Sequence, residues 1–407
     1  MDKIVVLAAG ASSRFWPLAI NHHKTFYRLG IGKTILEETV EGLLKSKRGV
    51  EICLVIAPRD LDLAKELFEA QENIKIFVQK EPNGAGQALL LAIGKGFSGK
   101  FFLTGGDKIN AGLILEKLEE NDQAIAIRKT TEPKHFGIVD LNSSGFITSV
   151  VEKPGEGQAV SGNKITSAYL LDSSFLPFIE KFESNHYSLE EALNEFVLKN
   201  KIKGVFVDDI EDTRLKFPWD LLDVNKKVQK RKHTHLIHDT AEISKSAVIE
   251  GDVYIEKGAK ISDFVKIVGP VYIGENSFIG DFSLVRENSF IDNNVIIGAH
   301  SEVKNSILYA NTTIHRSYVG DSIIDSNSRI GGGVVLANKR YDRGDVKSAV
   351  REEKLSTGLR AFGAVVGFGA NIGTNVTTMP GVKLGKNATV WPGCVVLEDV
   401  PDDQTLK

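Results

Sequence analysis

Arg14 closes a run of small residues, Leu7-Ala8-Ala9-Gly10-Ala11-Ser12-Ser13-Arg14, that leads into Phe15-Trp16-Pro17-Leu18. A small-residue turn after a strand leaves backbone N–H groups free to point at an anion, and a guanidinium beside it offers a fork to phosphate oxygens. Lys24 lies within reach of the same anion. Gly105-Gly106-Asp107 follows an apolar run, and a carboxylate at the C-terminal end of a strand can hold Mg²⁺. The stretch from Gln79 to Ala88, with Gly84 and Gly86, has amide and backbone groups suited to reading a flat base. A second set lies far along the chain. Arg286 and Lys304 are two cations for a phosphate, and His315, just before Arg316-Ser317-Tyr318, is an imidazole for moving a proton.

The elements that must position these residues are of two kinds. Residues 1 to about 225 alternate short apolar runs (4–9, 51–57, 74–78, 100–103, 123–128) with helical patterns (34–44, 61–71, 86–93). That alternation predicts a mostly parallel sheet covered on both faces. Residues 220–238 read as an amphipathic helix ending in a basic, solvated stretch. From Ile243 to Val303 every sixth residue is Ile or Val, with a small or β-branched residue four places after each. A six-residue period predicts a parallel β-helix, each hexapeptide forming one side of a triangular prism and the aliphatics filling it. The phase slips around 309–324, returns, and is interrupted again by an insertion at 338–360. The expected division is 1–228, a linker 229–240, the β-helix 241–401 and a tail 402–407. Residues eighteen apart stand one coil apart, so Arg286 and Lys304 stack on one edge. Two like charges there would repel without an anion, which predicts a phosphate clamp.

A chain of 407 residues is too long for one ordinary core, and 42% hydrophobic with 25% charged residues is the composition of a globular protein. A net charge of −3 gives no reason to expect nucleic acid or an anionic membrane as partner. Cys53 and Cys394 form no metal-binding or disulfide pattern and suit a reducing cytosol. The first apolar run is too short for a signal segment, and no run reaches membrane-spanning length. The expectation is a cytoplasmic protein.

Across the first half, the Leu7–Leu18 loop, Lys24, the Gln79–Gly84 loop, Gly106-Asp107, Phe136-Gly137, Glu152-Lys153-Pro154, residues 166–169 and Phe217-Pro218-Trp219-Asp220-Leu221-Leu222 together resemble the sugar-1-phosphate nucleotidylyltransferases. The resemblance implies a Rossmann-like α/β domain in which a sugar-1-phosphate oxygen attacks the α-phosphate of a nucleoside triphosphate and expels pyrophosphate. By it, Leu7, Ala9 and Gly10 line the nucleotide, Arg14 binds the β/γ-phosphates and Lys24 the α-phosphate, and Asp107 holds Mg²⁺. Gln79 and Gly84 face the base, a pyrimidine such as that of UTP or dTTP being favoured by Gln79. Gly137, Glu152, Lys153 and Tyr169 hold the sugar. The family's second metal carboxylate has no direct counterpart; Asp220 is the preferred replacement and Asp212 the alternative.

The second half is similar to the acetyltransferase half of the bifunctional N-acetylglucosamine-1-phosphate uridylyltransferase/glucosamine-1-phosphate acetyltransferases of archaeal type. The likeness rests on Val285-Arg286-Glu287, residues 302–306, His315 with residues 318–322, Gly331 to Asn338, and residues 378–382. It implies a left-handed β-helix in which His315 takes a proton from the sugar amine as it attacks acetyl-CoA. Arg286, Lys304 and Tyr318 would hold the sugar phosphate, Asn338 the ring and Thr374 the pantetheine arm, with a homotrimer or a multiple of it as the assembly. Arg329 departs from the pattern, standing where the family carries a small Asn beside the amine. The alternative is a monofunctional glucose-1-phosphate or mannose-1-phosphate enzyme whose β-helix only assembles the oligomer.

Overall fold

The computed structural model describes residues 1–155, 161–182, 188–208, 211–231 and 235–407. Part of the expected linker, 232–234, lies outside them. The chain forms two compact units: Met1–Ala11 with Asn21–Phe26 and Thr34–Arg214, and Ser12–Ile20 with Tyr27–Lys33 and Leu215–Lys407.

The first unit is built on a nine-stranded sheet of β1 (Lys3–Ala8), β2 (Glu51–Ile56), β3 (Ile74–Val78), β4 (Lys100–Gly105), β5 (Ala124–Lys129), β6 (Gly137–Leu141), β7 (Ile147–Glu152), β8 (Asn163–Asp172) and β9 (Lys203–Phe206). The path runs β9-β5-β8-β4-β1-β2-β3, and β6 pairs with both β8 and β7. β1 lies parallel to β2 and β4, as the strand–helix alternation predicts. β8, however, runs antiparallel to both β4 and β5 between them, so the sheet is mixed rather than mostly parallel. The sequence reading did not anticipate β6 to β9. Polar residues (Asp140 in β6, Thr148 and Ser149 in β7, Lys164, Thr166 and Ser167 in β8) break their apolar runs, and β8 and β9 depend on pairing partners far along the chain.

Two apolar layers cover the sheet. One gathers Val5, Val55, Leu103, Ile125 and Phe196, the other Ile4, Val6, Leu54, Phe102 and Leu115. Adjacent strand residues thus point to opposite faces, each buried under helices. The helix α1 (Ile35–Ser46) begins with a capping box: the Thr34 hydroxyl accepts from the Glu37 N–H while the Glu37 carboxylate accepts from the Thr34 N–H.

The second unit is the β-helix. Three parallel sheets run its length, one strand of each per coil. Ile255, Ile261, Ile267, Ile273, Ile279, Val285, Ile291, Ile297 and Val303 are all buried in a single axial core, so the six-residue period survives intact. Outside corners take the left-handed conformation, and Asn276, Asn294, Asn311 and Asn327 fill one such column, a conformation Asn tolerates better than most residues. The phase slip has a plain form. Glu302 pairs with Tyr318 and Val303 with Val319, so that coil is two residues shorter than the eighteen separating Val285 from Val303. The insertion carries an antiparallel hairpin, Lys347–Val350 with Glu353–Ser356. The stack extends beyond its expected bounds at both ends: Leu236–Ile237 pairs with the coil above, and Thr405–Leu406, in the expected tail, pairs with Thr389–Val390.

Two early segments belong to this unit. The Tyr27 hydroxyl donates to Asp325 at 2.9 Å and accepts from the Ala19 N–H at 2.9 Å. Arg28 pairs with Asp292 at 2.5 Å, and the Trp16 indole donates to Asp402 at 2.9 Å. The helix α2 (Asp220–Arg231), ending earlier than residue 238, offers Asn225 to the Gly30 N–H and to the Asn288 carbonyl.

Candidate functional site

In the first unit, β1 and β4 end side by side because they are parallel neighbours, and the Gly106 N–H, one residue past β4, donates at 2.8 Å to the carbonyl of Leu7 in the last residues of β1. The next residue, Asp107, meets Lys24 with its Oδ2 2.7 Å from Nζ. Burial works against ionising Asp107, but the ammonium groups of Lys24 and Lys108 win and hold its carboxyl down at about 2. His23 is buried and feels the charges of both Lys24 and Asp107. Burial, reinforced by Lys24, lowers its imidazole to about 3, and its Nδ1 lies 2.8 Å from the Thr25 hydroxyl. A β-carbon on Gly10 would stand 3.7 Å from His23 Nε2, so the small-residue turn lies next to the same imidazole. Arg14 is carried on Ser12–Ile20 and is a residue of the second unit.

Gln79 and Gly84 meet as the two ends of one loop. The Gln79 amide donates to the Gly84 carbonyl at 3.1 Å, and Gly84 holds φ 96°, a conformation glycine alone adopts cheaply. Gly137 and Glu152 face each other across the β6–β7 hairpin; a β-carbon on Gly137 would reach within 2.9 Å of the Glu152 carboxylate. The Lys153 ammonium lies 3.4 Å from that carboxylate. Tyr169 enters where β8 breaks register, beside Ser167 at φ 57°. Burial, with the charges of Glu190 and Glu152, pushes its phenol well up. The Glu190 carboxyl is itself raised to about 7, by burial above all, and its Oε2 is buried without a hydrogen-bond partner. Sequence reasoning missed Glu190, and no signal marked it: a Glu beside an apolar helical stripe is ordinary.

Neither carboxylate considered for a second metal position stands open. Asp220 accepts the Lys216 and Phe217 N–H groups on one oxygen, at 2.7 and 2.8 Å, and so closes the turn that enters α2. Asp212 is buried under Lys108 at 2.5 Å and Arg128 and Lys164 at 3.6 Å. Among the described residues no group of three or more His, Cys, Asp or Glu side chains gathers as a metal would require.

On the β-helix, Arg286 and Lys304 do pair in register one coil apart. The anions between them come from the protein. Arg286 donates to Glu302 at 2.8 Å and pairs with Glu287, and Lys304 lies 3.6 Å from Glu287 and 3.7 Å from Asp321. Repulsion between the two cations is thus relieved without a ligand. Asn338 donates to the Tyr318 hydroxyl at 3.0 Å and to Asp321 at 2.5 Å, which brings Tyr318, Asn338 and Lys304 into one network. His315 lines a trough of about 420 Å³ that also takes in Arg329, Gly331, Gly373 and Trp391. Thr374 is exposed on the turn after Gly373.

Residues 3–219 match the family described as Nucleotidyl transferase, more than half of the chain. The chain belongs to that family. The β-helix of this nucleotidyl transferase matches two further descriptions, GMPPB C-terminal domain over 267–347 and Bacterial transferase hexapeptide (six repeats) over 363–398. Several relatives are similar over almost their whole length. A "Bifunctional protein GlmU" of Methanococcus aeolicus is 32% identical over 98% of this chain and 95% of its own. A protein of the same name from Methanococcus maripaludis strain C7 is 36% identical over 98% and 95%. A "Bifunctional sugar-1-phosphate nucleotidylyltransferase/acetyltransferase" of Sulfurisphaera tokodaii is 31% identical over 98% of each chain.

Proposed function

We propose that this nucleotidyl transferase joins a nucleoside triphosphate to a sugar-1-phosphate with release of pyrophosphate, and that its β-helix transfers an acetyl group from acetyl-CoA to glucosamine-1-phosphate. The observation that carries the first activity is the Lys24–Asp107 pair at 2.7 Å, at the joint C-terminal ends of two parallel strands and next to the Gly10 turn. In-line displacement at phosphorus needs positioning and neutralised charge more than covalent help. Leu7, Ala9 and Gly10 offer backbone to the nucleotide, Arg14 takes the β/γ-phosphates, and Lys24 moves from Asp107 to the α-phosphate. Asp107, ionised throughout the physiological range, is the carboxylate a Mg²⁺ shared with the triphosphate would use; such an ion needs one or two protein carboxylates and takes its other oxygens from phosphate and water. It would supply charge neutralisation on the transferring phosphoryl group. Asp220 and Asp212 stay in their structural roles. Gln79 and Gly84 face a pyrimidine, and Gly137, Glu152, Lys153 and Tyr169 hold the sugar.

For the second activity His315 receives the amine proton as the nitrogen attacks the thioester, and Tyr318, Asn338, Lys304 and Arg286 form the polar wall for the acceptor, with Thr374 toward the pantetheine arm. The relatives named as bifunctional support this reading over a purely structural β-helix. We further take the protein to be cytoplasmic, a setting in keeping with its two free cysteines, and to assemble as a homotrimer or a multiple of one. No helix among the described residues is long and apolar enough to cross a membrane. Pyrophosphate release, assayed for each triphosphate against each sugar-1-phosphate, tests the first activity, and CoA release with glucosamine-1-phosphate tests the second. No product from any pair would end the proposal.

A further inference from the structure

The trough beside His315 has a construction that follows from the coil register. On one sheet of the prism, Thr313, Arg329, Asn371 and Thr389 stand in one outward column, each paired with the next coil. Two positions along, His315, Gly331, Gly373 and Trp391 form the neighbouring column, because Ile314, Ile330, Ile372 and Val390 are in register beneath. The two middle members are glycines. A β-carbon on Gly331 would come within 2.8 Å of the Gly373 backbone, and one on Gly373 within 2.6 Å of Pro392 N. The floor is therefore bare main chain, closed at one end by an imidazole and at the other by a half-exposed indole. Successive coils are about 4.8 Å apart, so three coils give a slot about 14 Å long.

Its electrostatics are one-sided. No carboxylate is among the residues lining it, and Arg329 is exposed with no ion pair to any described residue. The Lys407 ammonium lies 4.6 Å from the centre of the Trp391 ring. By contrast Arg286 and Lys304, the cations expected to grip a phosphate, already face Glu287, Glu302 and Asp321.

We infer that Arg329 is an anion-binding residue of the acyl-transfer site: a phosphate group of one of its two ligands docks on this guanidinium, over the glycine floor, with the ligand's ring against Trp391. The assignment rests on the acyl-transfer reading above and deepens it. The phosphate belongs either to the sugar-phosphate acceptor or to coenzyme A, and the same measurement tells the two apart.

Titration calorimetry on the full chain decides it, with four probes: glucosamine-1-phosphate, glucosamine, CoA and pantetheine. Arg329 is exposed, so Arg329→Gln should fold as the parent does. The expected result is a loss of about tenfold or more in affinity for one phosphate-bearing probe, the size of a lost charge-assisted hydrogen bond, with less than twofold change for its phosphate-free counterpart. Arg329→Lys should recover part of the loss, and Trp391→Leu should weaken the same probe. Loss confined to glucosamine-1-phosphate assigns the anion to the acceptor; loss confined to CoA assigns it to the donor. Unchanged binding of both, equal loss for phosphate-bearing and phosphate-free probes, or Arg329 and Trp391 acting on different probes would overturn the inference. CoA release from acetyl-CoA by the parent protein separates its fate from that of the acyl-transfer reading. Without release, Arg329-dependent binding leaves the anion site standing while that reading falls. With release, unchanged binding in Arg329→Gln sinks the anion site alone.

Discussion

At Glu190 the protein holds a carboxyl at about 7 beside Glu152 and Tyr169, with one oxygen unsatisfied. The folded pKa lies above the ordinary 4.5 of a glutamate, so the folded chain binds the extra proton between those values and stability falls as pH rises through that window. Glu190→Gln should remove that slope. Thermal unfolding at pH 5 and pH 8 should show the parent losing roughly 2–3 kcal/mol relative to the variant across the window. An equal loss in both proteins would mean that Glu190 does not titrate there. Lys24 and Asp107 were legible because both sit in short runs whose neighbours announce a turn or a strand end. Asp212 was not, because what removes it from consideration is three cations distributed over residues 108 to 164.

At the scale of elements, hexapeptides are a local pattern and read directly from Ile243 onward, whereas β8 is defined by antiparallel pairing to residues 34 to 72 positions earlier. The same divide explains the cation stack. The separation of Arg286 from Lys304 foretold their register, but not that Glu287, Glu302 and Asp321 would already neutralise them. The segment Tyr27–Lys33 is held by Arg28 on Asp292, whose side chain is 6% exposed and whose carboxyl is pushed up by burial despite that partner. Arg28→Ala leaves a buried carboxylate without its cation and should destabilise the protein by about 2–3 kcal/mol at neutral pH. Burial then raises the Asp292 carboxyl further, so the deficit should shrink in acid, where protonation removes the charge. Adding Asp292→Asn should restore much of the loss, and denaturant unfolding of both variants checks the pair. A deficit that Asp292→Asn leaves untouched would point to lost packing instead.

For the whole molecule, two chemistries on two separately cored units should fail independently. Asp107→Ala is expected to cut pyrophosphate release by at least about a hundredfold, the scale of losing a charge-stabilising group, while CoA release continues. His315→Ala should reverse the pattern. Loss of both activities in either variant, with the fold intact by circular dichroism, would contradict independent sites. The assembly is checked by sedimentation equilibrium, where a mass of three chains or a multiple is expected and a monomer would refute it.

The hydrogen bond from the Trp16 indole to Asp402 spans 386 positions. During synthesis, the opening loop with Arg14 therefore waits for its last anchor until the coil bearing Asp402 has left the ribosome. A nascent chain halted a few dozen residues short would carry every side chain proposed to bind phosphate and still lack the Trp16–Asp402 fastening of the loop that bears Arg14.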